Sequence, residues 1–408
     1  LAAMGVNVSW GPDLDLATLP TSPAVGTRSF GDDAGRAGAF GAATVAGLQS
    51  VGVAAAAKHF PGSGETLADP HHGLPVVDVA AEVLETRELA PFRDAVAAGV
   101  RLMMVSHAAY PGLGPDGDAG RSALMSPAIL GELLRGRMGF GGVVVTDALD
   151  MAAVDQADVA GAAVAAIEAG VDLLLAGPLQ AERPEELARL VATLHASPAA
   201  EVAASRVAEL RQWLGQGSQP DLDVVGCAEH AALARELAER SVTLLRDDAG
   251  LLPLRPISET RLLVVTPMPA DLTPADTSSL VEIRLAEAVR RRHATAQVTV
   301  PIDPSTSDIE SVLAAAQVAD VVILGTIDAF RHPGQLALAS ATVGTGRQVV
   351  LVALRMPTDA EVLRDLPTVI ACYSIHDPST EAVAALIFGE SPATGRVPIS
   401  DQTTEGRP

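Results

Sequence analysis

Residues able to do acid, base or nucleophilic chemistry gather in the first half of this 408-residue chain, mostly behind short apolar runs. Asp69 lies two positions before His71 in ETLADPHHGLP, with His72 next to it. A carboxylate beside an imidazole orients the ring and stabilises its protonated form, which gives a general acid/base suited to neutral pH. Asp147 ends the run GGVVVT. A carboxylate there is a nucleophile, an electrostatic stabiliser, or merely a cap or an arginine partner for the next element. Lys58, directly before His59, is the only lysine among 28 lysine and arginine residues. A compact ammonium is not interchangeable with a planar guanidinium, so a chain that uses arginine everywhere else has a chemical reason for this lysine. Arg28, in VGTRSFGDD, reads by itself as a surface partner of Asp32 or Asp33. His59, His71, His72, His107 and Asp69 include the ligand types of zinc. Adjacent histidines do not easily face one ion, however, and neither HxH nor HExxH is present, so no metal is expected.

Strands must hold these residues in place. The apolar runs Val6 to Trp10, Val53 to Ala57, Leu102 to Val105, Val143 to Thr146 and Val171 to Leu175 alternate with helical patterns, as in a parallel sheet covered on both faces. Asp13 and Asp15 follow the first run, Lys58 and His59 the second, Ser106 and His107 the third, and Asp147 the fourth. Ionisable residues at strand C-termini mark the active-site end of a (β/α)₈ barrel or the ligand crevice of an open α/β sheet. The alternation pauses at WLGQGSQPDLDVVG, a Gly/Pro/Asp-rich segment that reads as a linker. Beyond it a long helix, AALARELAERSVTLLRD, leads into the strands RLLVVTP, VADVVILGT, GRQVVLVAL and PTVIACYS, which predict a second, smaller parallel α/β domain.

Composition excludes several classes of function. A net charge of −22 without a basic stripe argues against nucleic acid as a partner. Two cysteines, Cys227 and Cys372, make no disulfide framework and have no metal-ligand spacing. The most apolar run, GAAVAAIEAGVDLLLAG, carries Glu168 and Asp172 and breaks into helix, turn and strand, so no membrane span is expected. GTGR at Gly344 precedes a strand, the wrong order for a dinucleotide site. The opening LAAMGVNVSW carries no readable signal and leaves cytoplasmic and exported locations both open.

The run KHFPGSG followed by ADPH resembles the signature of glycoside hydrolase family 3, in its β-N-acetylglucosaminidase branch. GVNVSWGPDLDL, TRSFGDD, MMVSHAAYPGL, LLRGRMGFGGVVVTDALDM, AGVDLLL, RELAERSVTLLRDDAGLLPL and FGESPATGRVPIS are similar to that family in the same order, over nearly the whole chain. Ser63 and Pro70 depart from the residues usual in such loops.

The resemblance implies an α/β protein in which a (β/α)₈ TIM-type barrel over residues 1–215 is followed by a linker, 216–228, and a smaller doubly wound α/β sandwich, 229–408. It implies a retaining exo-β-N-acetylglucosaminidase with Asp147 as nucleophile, His71 as general acid/base and Asp69 orienting it. Lys58, His59, Arg28 and Asp15 would bind the sugar, a small β-N-acetylglucosaminide, with no metal or organic cofactor. A β-glucosidase-type or phosphorolytic enzyme, or an inactive sugar-binding fragment, are the alternatives. Family members also carry an Asp-x-Glu-Gly-Gly-x-Val-x-Arg segment ahead of the strand that comes first here. The resemblance therefore implies a truncated N-terminus and an incomplete barrel.

Overall fold

The computed structural model describes residues 1–19, 25–66, 73–114, 120–154, 158–177, 183–195, 197–271 and 276–400. Two compact units emerge, one formed by Leu1–Val225 with the segment from Pro398, the other by Gly226–Val397.

In the first unit, β1 (Val8–Ser9), β2 (Ala54–Phe60), β3 (Leu102–Val105) and β4 (Val143–Thr146) lie side by side in chain order, all parallel. Successive side chains of a strand point to opposite faces, and here both faces are dry. Ala55, Ala57, Met103, Val105 and Val144 join an apolar cluster with Phe92, Leu130, Leu133 and Ile167. Ala54, Ala56, Leu102, Met104, Val143 and Val145 join a second, closed by Leu210 of the helix Pro198–Leu214. That double burial is why the strands read as unbroken apolar runs. The run at Val171 forms no full strand among the described residues, but Leu173 pairs with Val145 as a single parallel bridge beside β4.

The β2 strand runs further than the sequence suggests, so that Lys58 and His59 lie within it rather than after it. The cause is the segment beyond β1. Gly11 and Pro12 carbonyls accept from Ala56 N–H and Lys58 N–H, and Leu14 N–H donates back to the Lys58 carbonyl, which prolongs the pairing even though Pro12 has no donor of its own.

The second unit is a six-stranded sheet in the order β5-β10-β9-β8-β6-β7, with β5 Thr243–Asp247, β6 Leu262–Pro267, β7 Thr295–Val300, β8 Val321–Thr326, β9 Gln348–Ala353 and β10 Thr368–Ala371. It is mixed rather than wholly parallel, because β5 runs antiparallel to β10. The predicted helix from Ala231 in fact stops at Ser241, and the β-prone VTLL stretch leaves it to form that edge. The edge strand β7, TAQVTV, escapes sequence reading because its outer residues stay wet.

Two contacts tie the first unit together. Buried Asp172 accepts from Arg135 Nη2 at 2.5 Å, Arg206 Nη1 at 2.8 Å and Val144 N–H at 2.8 Å, joining the start of β4 to two helices. Far along the chain, the Pro398 carbonyl accepts from Asp32 N–H at 3.2 Å and Ser400 N–H donates to Asp32 Oδ2 at 2.5 Å. A Cβ on Gly31 would stand 2.2 Å from the Pro398 carbonyl oxygen, so only glycine fits there. Removing one partner of a buried charge network strands the others. Asp172→Ala is therefore expected to cost about 3 kcal/mol, read as a lower urea midpoint at unchanged m-value.

Candidate active site

The sheet order brings the ends of four neighbouring strands together, and with them Asp13 and Asp15 beyond β1, Lys58 and His59 in β2, His107 beyond β3 and Asp147 directly after β4. Asp15 is the hub. Its side chain is 1% exposed, and its Oδ2 lies 2.6 Å from His59 Nδ1. Its Oδ1 accepts from Ser63 N–H at 2.6 Å and from His59 N–H at 3.3 Å. The other ring nitrogen of His59, Nε2, stands 3.7 Å from Asp147 Oδ2, so the imidazole spans two carboxylates.

The loop after β2 is shaped to allow this. Gly62 has φ +121°, a conformation that side chains resist, and a Cβ on Gly64 would stand 2.2 Å from the Leu16 carbonyl oxygen. Tyr110 OH donates to the Gly62 carbonyl at 3.0 Å and Ser63 Oγ donates to Ser106 Oγ at 3.0 Å, fixing the turn from below. The Gly11–Pro12, Lys58–His59 and Phe60–Pro61 peptides are cis.

The electrostatics separate the titrating groups. Burial alone would raise Asp15, but the His59 charge and hydrogen bond, the Ser63 N–H and Arg28 outweigh it and hold this carboxyl below its ordinary range. Asp13 goes the other way: burial and the adjacent Asp15 raise it, and His59, Arg28 and Lys58 offset only part of that. Burial also disfavours charge on His59, yet Asp15, Asp13 and Asp147 together outweigh it and hold the ring's pKa above its ordinary value. For Asp147, burial is again overridden, by His59, His107, the Ala148 N–H and Lys58, and its carboxyl titrates below the ordinary value. The result is an ionised carboxylate, with a side chain 21% exposed, anchored by Ala148 N–H at 2.8 Å and flanked by cations. Such a group attacks an electron-poor carbon or stabilises positive charge developing on it.

Asp13, Asp15 and His59 also present ligand atoms within 4.8 Å of one another, a set that could hold a metal ion. The 2.6 Å between Asp15 Oδ2 and His59 Nδ1 is a hydrogen-bond distance. Two ligands about 2 Å from one tetrahedral ion would stand about 3.3 Å apart, so the residues as placed fit a shared proton better than a shared metal.

Of the residues that sequence singles out, Lys58, His59, Asp15 and Asp147 converge here. Arg28 lies 3.5 Å from Asp13 Oδ2. Its sequence-suggested partners are otherwise engaged, Asp33 capping the helix Ala34–Ser50 through Arg36 N–H and Asp32 holding Ser400. Asp69, His71 and His72 lie outside the described residues. Asp13 and His107, which sequence places at strand ends without a role, complete the group, with His107 Nε2 2.9 Å from the Ala148 carbonyl oxygen beside Asp147. The signals that could have found them are the PDLD spacing and the Ser-His that follows β3.

Comparison with known proteins identifies the family. Residues 1–210 match the glycosyl hydrolase family 3 N terminal domain. The chain belongs to glycosyl hydrolase family 3. It is 33% identical to Beta-hexosaminidase A of Pseudoalteromonas piscicida over 277 residues, 62% of this chain and 46% of that protein. With a Beta-hexosaminidase of Xylella fastidiosa it shares 41% identity over 174 residues, 42% of this chain and 50% of the relative. This family 3 chain thus spans about half the length of the curated relatives it matches. A solved family 3 beta-N-acetylglucosaminidase from Paenibacillus sp. str. FPU-7 superimposes with a TM-score of 0.88 at 29% identity, covering 97% of this chain and 77% of that one.

The influence of His59 on its neighbours is testable in this family 3 site without any substrate. In His59→Gln, Asp147 loses its nearest positive neighbour while its burial remains, so its carboxyl is expected to titrate at higher pH, which a ¹³C NMR titration reads directly. The same pair shapes stability. Raised His59 contributes fully below its ordinary 6.5 and loses that contribution as pH rises through its higher folded value. Lowered Asp15 contributes fully above its ordinary 3.8 and loses it as pH falls through its lower folded value. The stability difference between wild type and His59→Gln should therefore be largest between 3.8 and 6.5 and shrink on either side.

Proposed function

We propose that this chain is the catalytic portion of a retaining exo-β-N-acetylglucosaminidase that releases terminal β-linked N-acetylglucosamine, with bacterial cell-wall fragments as its substrates. The observation that carries the reading is Asp147, a carboxylate at the end of a parallel strand, held ionised and facing a lysine and a histidine whose pKa is raised. The names of the relatives, beta-hexosaminidase and beta-N-acetylglucosaminidase, favour amino sugars over plain glucosides. We read residues 1–215 as part of a (β/α)₈ barrel, in keeping with four consecutive parallel strands and Leu173 bridging to the last of them. Residues 229–408 are read as the smaller family domain, less the segment from Pro398, which packs within the first unit.

In this mechanism an Asp147 oxygen attacks the anomeric carbon as the bond to the leaving oxygen breaks, and a covalent glycosyl-enzyme forms. His71, charged and oriented by Asp69, gives its proton to the leaving oxygen. It then takes one from the water that cleaves the glycosyl-enzyme and regenerates Asp147. Lys58, His59 and Arg28 hold the hydroxyls and the acetamido group. Asp15, which already accepts from His59 and Ser63, contributes through the ring it holds.

In the full-length protein, Asp147→Asn is expected to lower kcat on p-nitrophenyl N-acetyl-β-glucosaminide by more than about a thousandfold; turnover at the wild-type rate would sink the reading. His71→Ala should cost far more on a disaccharide than on the nitrophenyl substrate, since nitrophenolate departs without needing a proton. Equal losses on both would remove His71 from the acid/base role.

A further inference from the structure

The loop from Lys58 to Gly64 is held at its entry by Asp15 and at its turn by Tyr110 and Ser106, and a third restraint grips its return limb. Arg87, in the π-helical turn Leu84–Glu88, donates Nη2 to Glu65 Oε1 at 2.5 Å and Nε to Glu88 Oε1 at 2.7 Å. Glu88 is 1% exposed and packs against the loop itself: a Cβ on Gly62 would stand 3.0 Å from Glu88 Cβ and 3.2 Å from its Oε2. The opposite side of the limb is equally tight, where Gly64 abuts the Leu16 carbonyl. Gly62 to Glu65 therefore runs through a slot walled by Leu16 on one side and the Arg87-linked carboxylates on the other.

This is a poor way to build stability. Burial pushes Glu88 up to about 7 despite Arg87, and its Oε2 has no hydrogen-bond partner among the described residues. Arg87 is itself 35% exposed, where an ion pair contributes little. What two carboxylates on one planar guanidinium do supply is direction, because the fork fixes both at once.

We propose that Arg87, through Glu65 and the buried Glu88, is a positioning residue that sets the return limb of the Lys58–Gly64 loop and thereby the sugar-binding placement of Lys58 and His59. The inference rests on the glycosidase reading above. It acts on binding more than on the attacking carboxylate, since Asp147 hangs from β4 and its own Ala148 N–H while the His59 ring keeps its separate tie to Asp15.

The test is a split between KM and kcat on p-nitrophenyl N-acetyl-β-glucosaminide in the full-length protein. Arg87→Met is expected to raise KM by about tenfold while kcat stays within about threefold, with a Tm close to wild type. Arg87→Lys, which reaches one carboxylate at a time, should fall between wild type and Arg87→Met. Glu65→Gln, which leaves the Arg87–Glu88 contact in place, should raise KM in the same direction and serves if Arg87→Met folds poorly. Lys58→Met is the reference arm. If it raises KM and the Arg87 and Glu65 variants do not, or if those variants lose only Tm and active protein at unchanged KM, the positioning role is overturned and the glycosidase reading stands. If Lys58→Met leaves KM unchanged, or the wild type does not turn over, the reading beneath the inference fails as well.

Discussion

Asp15 and Asp13 stand two residues apart in a dry crevice, and burial penalises a negative charge on either. The site resolves this by giving Asp15 the closer partners. His59 donates to Asp15 from its ring and its backbone, Ser63 adds another N–H, and Asp15 becomes the settled carboxylate while Asp13 is pushed toward its neutral form. The same imidazole reaches toward Asp147 with its far nitrogen, and together with His107, the Ala148 N–H and Lys58 it holds that carboxyl below its ordinary value. The loop that follows His59 is held from its other side, by Tyr110 under Gly62 and by the close approach of Gly64 to the Leu16 carbonyl.

Much of this was legible in the sequence wherever the signal was local. Strands buried on both faces leave an unbroken apolar run, so β2, β3 and β4 and most strands of the second unit could be read directly. The solitary lysine marked the right strand end, and Asp147 stood out as a charge terminating an apolar strand. The losses have physical causes. β5 follows its helix with no glycine or proline between them, so VTLL reads as more helix, and β7 is wet on its outer side and reads as loop. The extension of β2 through Lys58 depends on carbonyls of a segment some forty-five residues earlier, which no local pattern carries.

Pairings were harder to read than positions. Arg28 has two carboxylates a few residues away in sequence, yet Asp33 is used as a helix cap and Asp32 as an anchor for the chain's far end, which leaves Arg28 beside Asp13. Glu88 gives no sign in its LETRE context that it will be buried against a glycine of another loop. Residue type suggests which chemistry is possible. Which carboxylate is kept charged is decided by burial and by neighbours that only the fold assembles.

The contact of Pro398 and Ser400 with Gly31 and Asp32 means that the first unit is discontinuous in sequence. During synthesis the strands that carry Lys58, His59 and Asp147 leave the ribosome long before the segment that docks beneath Gly31 exists. The six-stranded sheet of the intervening unit must be made, and can fold, in the interval. Completion of the unit that bears the candidate site thereby waits for residue 398, and a nascent protein stalled before it would lack that contact whatever the state of its strands.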